Sequence, residues 1–196
     1  MSLNELPTPA ALVNAAQMQR NIERMQQRMN ALGVAFRPHV KTTKCLPIVQ
    51  AQIAAGARGI TVSTLKEAEQ FLAAGIGDIL YAVGMAPNKL AQAAALVQRG
   101  CALQILVDSA DAARAVVAQG RERGVQFAVL IEIDTDGHRS GIQPEQDALI
   151  EVGRLLHEGG MTLAGVMTHA GGSYACNTPE ALQAMAEQER ARCVRA

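Results

Sequence analysis

The 196-residue sequence predicts an α/β protein built on a parallel sheet. Short, continuously apolar runs recur along the chain, a segment with helical spacing follows each, and the repeat is about 25 to 30 residues. Strands that are apolar on both faces belong in parallel sheets covered by helices. Two architectures share this pattern, an open doubly wound sheet and a closed (β/α)8 barrel, which needs eight strands and about 250 residues. No GxGxxG follows the first strand, so a dinucleotide site has little support. About six βα units follow an N-terminal strand and helix, and the polar ending QERARCVRA stops inside a helical pattern without a cap. The expectation is a barrel cut short after about six units.

Residues 10–14 are expected as the first strand. Met18, Ile22, Met25, Met29 and Leu32 then recur at helical spacing through residues 15–32, and Gly33 stops that helix. Residues 34–40 read as a strand, 46–55 as a helix, and 59–63 as the next strand. Thr64-x-x-Glu67 is a capping box, so a helix starts at Leu65 and runs to Gly75. Residues 78–83 form a strand and 87–99 a helix. The strand at 103–107 leads to Ser109 or Asp111, which cap a helix reaching Gly124. Residues 125–134 are the most apolar strand. The loop TDGHRSGI separates them from a helix at 146–157, and 161–168 is another strand. Thr178-Pro179 opens the last helix, threonine as cap and proline in the first turn.

Composition narrows the function classes. Apolar residues make up 49% of the chain and the net charge is zero, so no nucleic-acid or membrane surface is expected. Aromatic residues are 3%, too few for a base-stacking surface. No basic-then-apolar leader opens the chain, so no secretory signal is expected. The longest apolar run, 127–131, is far too short to span a bilayer. Cys45, Cys101, Cys176 and Cys193 are scattered without a CxxC pair, which suits free thiols in a reducing cytoplasm.

In parallel α/β folds ligands sit beyond the carboxyl ends of the strands. The polar groups there are His39, Lys41 and Lys44; Ser63 and Thr64; Tyr81; Asp108 and Ser109; Glu132, Asp134, His138 and Arg139; and Thr168, His169, Ser173 and Tyr174. Most have ordinary structural readings. Ser63-Thr64 and Asp108-Ser109 suit helix caps, Glu132 and Asp134 suit ion pairs, His138 suits a solvated loop, and His157 suits a helix C-terminus. Lys41, in VAFRPHVKTTK, is harder to assign that way. A strand-end lysine facing a dry mouth can lose its proton through desolvation and nearby cations, for which Lys44 and Arg37 are candidates. The neutral amine is then a nucleophile for a carbonyl, with an exposed loop lysine as the structural alternative.

Taken in order, TPAALV, RPHVKTTK, GITVSTLKEAE, DILYAVG, LVDS, EIDTDGHRSGI and GVMTHAGGSY resemble the pyridoxal-phosphate enzymes of the alanine-racemase-like barrel class. The resemblance is strongest to the branch of D-threonine aldolases, D-serine dehydratases and D-threo-3-hydroxyaspartate dehydratases, and covers essentially the whole chain. It implies an alanine-racemase-type barrel, with residues 1–196 an incomplete cofactor-binding domain and the family's C-terminal β domain absent. It also implies that Lys41 holds pyridoxal 5'-phosphate as an internal aldimine. Arg139 then contacts the cofactor ring or its phenolic oxygen, His169 packs beside the ring, and Tyr174 lies near the phosphate and substrate. His39, one alternation before Lys41, faces the same side, and it and Lys44 support the lysine from behind. Thr43 and Gly172 depart from the family pattern, where many relatives carry histidine and a bulkier polar residue.

The glycine-rich phosphate loop, and the C-terminal His with Cys or Asp that hold a divalent metal in full-length relatives, are absent here, so no metal ligands are assigned. The implied activity is that of a lyase acting on D-β-hydroxy amino acids, either dehydratase or aldolase, in a cytoplasmic homodimer. The alternatives are a non-catalytic cofactor-binding protein, a racemase and an inactive fragment.

Overall fold

The computed structural model describes residues 3–196. Helix α1 spans Ala15–Ala31 and α2 spans Leu46–Ala54; five βα-type steps follow. They are β1 (Ile60–Val62), α3 (Leu65–Ala73), β2 (Asp78–Gly84), α4 (Leu90–Gln98), β3 (Ala102–Val107), α5 (Ala110–Arg123), β4 (Ala128–Ile133), α6 (Asp147–Glu158), β5 (Thr162–Thr168) and α7 (Pro179–Arg195). Caps behave as the sequence predicts. The hydroxyls of Thr64, Ser109 and Thr178 accept the N–H groups of Glu67, Ala112 and Ala181, satisfying donors that the first helical turn leaves open. Ser109 is the cap of α5, whereas Asp111 sits in its first turn and pairs with Arg114.

All five strands are parallel and lie in chain order, β1-β2-β3-β4-β5. Doubly wound sheets reverse their strand order at a switch point, and this sheet has no reversal. Right-handed crossovers between successive neighbours put each connecting helix on the same side, as in a barrel wall. Burial agrees: along β4, Val129, Ile131 and Ile133 are buried while Ala128, Leu130 and Glu132 are half-buried. The core lies on the helix side, where Ile60, Val62, Ile79, Tyr81, Ile105 and Val107 join those three under α3 to α6. Each such side chain contributes about 1.5–3 kcal/mol by leaving water. The other face carries Thr61, Leu80, Gln104 and Ala128 abreast, and no connecting helix covers it.

Several expectations need correction. Residues 10–14 form no strand; nothing among the described residues pairs with them, they are exposed, and Asn14 instead caps α1 through the Gln17 N–H. Residues 34–40 run beside β1 but make one isolated bridge, His39 to Thr61, where Thr61 N–H donates to Pro38 O and Val40 N–H to Thr61 O. Pro38 has no N–H to extend the ladder. The sheet therefore has five strands and one bridged edge. Residues 125–134 shorten to Ala128–Ile133, and the helix at 87–99 opens with a 3-10 turn, Pro87–Lys89. The apolar stripe of α1 is half-covered, with Met25 and Leu32 exposed and Gln26 buried. Among the described residues no helix is long and apolar enough to cross a membrane.

Candidate active site

The carboxyl ends of the strands carry two polar groupings. The first surrounds Lys41. Val40 is buried in the core, so its neighbours His39 and Lys41 emerge on the side away from the helices, both exposed. The Lys41 N–H donates to His39 Nδ1 at 3.3 Å, and His39 Nε2 lies 3.4 Å from Ser63 Oγ at the end of β1. With Nδ1 accepting, a neutral ring carries its proton on Nε2, where it can donate to Ser63. Partial burial, followed by the charge of Lys41, lowers the His39 pKa; Glu67 and the backbone of Thr61 oppose the shift. The neutral ring is thereby favoured.

Lys44 closes this turn. Its N–H donates to Val40 O at 2.9 Å, its backbone sits in the left-handed region at φ +45°, and its Nζ is 3.0 Å from Oε1 of the buried Glu67. Burial pushes the Glu67 carboxyl up, but the Ser63 N–H, the Lys44 ammonium and the Thr64 backbone outweigh it and hold it below the ordinary glutamate value.

The second grouping lies beyond β4 and β5. Asp134 Oδ1 accepts the N–H groups of Asp136 and Gly137, and Asp136 Oδ1 accepts that of His138. Asp136 Oδ2 takes the Gly172 N–H at 2.6 Å, tying the two loops together. That N–H is the main reason the Asp136 carboxyl titrates below the ordinary aspartate value. The chain returns at Ile142, which bridges to Ile133 and exchanges hydrogen bonds with Glu132 O and the Asp134 N–H. Gly141 makes the return at φ +113°; a Cβ there would lie 2.6 Å from Asp134 N and 2.7 Å from Ile133 C. Gly171 lets the Arg139 stem pass, since a Cβ on it would come within 2.5 Å of Arg139 Cδ and 3.0 Å of the His138 ring. His169 and Tyr174 form an edge-on ring pair with centroids 5.7 Å apart and Tyr174 Oη 3.4 Å from His169 Nε2.

The structure thus groups His39 with Lys41, Arg139 with the loop after β5, and His169 with Tyr174. Among the described residues no hydrogen bond or ion pair joins the Lys41 edge to the other set; β4 is four strands along the sheet, about 19 Å at about 4.8 Å a step. A ligand touching both lies across the strand ends. Among the described residues, neither the Lys41 amine nor the Arg139 guanidinium has a hydrogen-bond or ion-pair partner.

Five expectations about these residues fail. Lys41 is exposed rather than desolvated. Lys44 spends its charge on Glu67. Arg37 points to the opposite end of the sheet, where it pairs with Asp78 at 2.6 Å at the start of β2. Tyr81 is fully buried on the helix side, its hydroxyl accepting from Lys89 Nζ at 2.9 Å. Glu132 and Asp134 serve as hydrogen-bond acceptors for Ser140 and the loop backbone rather than as ion-pair partners.

Sequence reasoning missed the groups that hold the loops. Buried Thr135 meets Thr168 Oγ1 at 2.9 Å and accepts Gln188 of α7 on its carbonyl, and Glu189 Oε1 accepts the Ala170 N–H. Only the D-T-D-G spacing, which favours an aspartate-closed turn, signalled any of this.

The alanine racemase N-terminal domain family matches residues 13–196. The chain is 63% identical over 196 residues to a D-threo-3-hydroxyaspartate dehydratase of Delftia sp. (strain HT23), covering 100% of this chain and 52% of that protein. It is 32% identical to a D-serine dehydratase of Dictyostelium discoideum, covering 95% of this chain and 50% of that one. A solved structure of the D-threo-3-hydroxyaspartate dehydratase from Delftia sp. HT23 superposes with a TM-score of 0.95 at 63% identity, over 97% of this chain and 51% of that chain. The chain spans about half the length of the curated relatives it matches.

Proposed function

The chain belongs to the alanine racemase N-terminal domain family, and from that membership we propose that it is the pyridoxal-phosphate-binding part of a lyase acting on D-β-hydroxy amino acids. The reaction assigned is dehydration, with D-threo-3-hydroxyaspartate as the first substrate to test. The observation that carries this reading is identity to a D-threo-3-hydroxyaspartate dehydratase at 63% over the whole chain, twice that to the D-serine enzyme.

The donor set fits such a cofactor. An unpartnered primary amine, an unpartnered guanidinium and an imidazole–phenol ring pair suit an aromatic aldehyde that carries anionic oxygens. Lys41 is the amine that would hold the aldehyde, and Arg139 would face a ring oxygen, favouring its anion without offering a titratable proton. His169 would pack beside the ring, with Tyr174 fixing it from the far side. His39 holds the Lys41 backbone. When bound, pyridoxal phosphate supplies a carbonyl that captures amines and a ring that withdraws electrons from the carbon bearing the substrate's amino group. The Lys41 amine would be one possible base to take a proton from that carbon. The described residues bring no three His, Cys, Asp or Glu side chains together, so no metal ligand is assigned in this stretch. The same reading carries a cytoplasmic homodimer, which sedimentation of the protein checks.

The test is chemical. The chain is incubated with pyridoxal phosphate, reduced with borohydride and mapped by mass spectrometry. The adduct is expected on Lys41 and absent after Lys41→Ala; an adduct that persists in the variant overturns the assignment. Ammonia release from D-threo-3-hydroxyaspartate supports dehydration, whereas glycine release would make the enzyme an aldolase.

A further inference from the structure

Glu67 has no role in the site as read so far, yet its carboxylate lies under it. The side chain is 8% exposed, in the first turn of α3, with its own N–H fixed by Thr64 Oγ1 at 3.0 Å. One oxygen accepts the Ser63 N–H at 2.9 Å; the other faces the Lys44 ammonium at 3.0 Å. In an ordinary capping box the glutamate reaches back to the cap residue's own N–H. Here it reaches one residue further, to Ser63, which leaves its second oxygen for Lys44.

These two attachments bracket Lys41. Ser63 Oγ meets His39 Nε2, and His39 Nδ1 takes the Lys41 N–H. On the other side, Lys44 ends the turn that contains Lys41, and does so in a left-handed conformation that side chains other than glycine, asparagine and aspartate seldom adopt. A residue held there against its preference needs an external restraint, and the Glu67 carboxylate is the charged group in contact with it.

We propose that Glu67 is a positioning residue for Lys41: by holding Ser63 with one oxygen and Lys44 with the other, its carboxylate fixes the turn that aims the Lys41 amine. The inference rests on the reading of Lys41 as the amine that captures pyridoxal phosphate. Capture joins Nζ to the aldehyde carbon with loss of one water, so its rate reports how well the amine is presented. Misplacement by about 1 Å can cost up to about 100-fold.

The experiment measures capture rate on the 196-residue chain by borohydride trapping, with melting curves to check the fold. Glu67→Gln keeps an acceptor for Ser63 but loses the charge, and should slow capture about tenfold. Lys44→Met, at a side chain that is 60% exposed, should fold and slow capture by a similar factor. Lys44→Arg should restore most of the rate, and the double variant Glu67→Gln/Lys44→Met should be no slower than either single one, since both cut one link. A second readout needs no cofactor. The charged groups acting on His39 are Lys41 on its own segment and Glu67 on α3, so removing the Glu67 charge should lower the His39 pKa further, as followed by ring NMR.

Capture at the wild-type rate by both Glu67→Gln and Lys44→Met, with His39 unmoved, would overturn the positioning role while leaving Lys41 in place. Absence of any Lys41 adduct in the wild-type chain would instead remove the cofactor reading, and the His39 titration would then decide the Glu67 link by itself.

Discussion

Around Lys41 the fixing contacts include an ion pair, Lys44 with Glu67, and two side chains, His39 and Glu67, that each take a backbone N–H. Around Arg139 and His169 no ion pair takes part among the described residues, and most of the fixing contacts run to the main chain. There Asp134, Asp136 and Glu189 accept backbone N–H groups, Gln188 donates to a backbone carbonyl, and glycines make room. Both regions sit on the same rim of one sheet, yet they are vulnerable to different insults. Contacts between charges respond to salt and acid, whereas a packed loop of backbone hydrogen bonds responds to added volume.

The sharpest way to break this contrast is Gly141→Ala. The new Cβ would meet backbone atoms of Ile133 and Asp134 at 2.6–2.7 Å at a positive φ, so the loss should be about 3 kcal/mol or more, independent of salt, in urea melts. Next is Thr135→Val, which removes the buried hydroxyl contact to Thr168 and should cost about 1–2 kcal/mol. Lys44→Met should cost about 0.5–1 kcal/mol because its ammonium is mostly in water, and that loss should shrink at 1 M salt. If Gly141→Ala proves salt-sensitive and Lys44→Met does not, the contrast is wrong.

Acid sharpens it further. The folded His39 pKa is lowered, so between it and the ordinary value near 6.5 the unfolded chain binds the proton first, and stability falls as pH falls through that window. The folded Glu67 pKa is also lowered, so its contribution is complete above the ordinary value of about 4.3 and is lost as pH drops through the folded one. Stability against pH should therefore show an upper step that His39→Gln removes and a lower one that Glu67→Gln reduces. The smallest effect belongs to Tyr174→Phe: Tyr174 is 80% exposed and its hydroxyl contact is 3.4 Å long, so stability should change by less than about 0.5 kcal/mol.

Element order and caps were legible because their signals are local. Thr64-x-x-Glu67, Ser109 and Thr178-Pro179 each mark a helix start within four residues. Strand faces were not legible, since after Asp78 the run ILYAVG has no polar–apolar alternation to show that Tyr81 turns toward the helices. Distant pairings were hidden as well. Arg37 finds Asp78, 41 positions along, and was read instead as a companion of its sequence neighbour Lys41. The site residues came from motif resemblance. What the structure adds is which of them touch, and that Glu67, visible in the sequence only as a helix cap, lies beneath the turn of Lys41.

The strand order, identical to the order of synthesis, has a kinetic consequence. Each new strand docks on the one made just before it, so the loops to be closed stay short and the search for a partner stays local. The wall can assemble by accretion during translation, with no strand waiting for a mate not yet made.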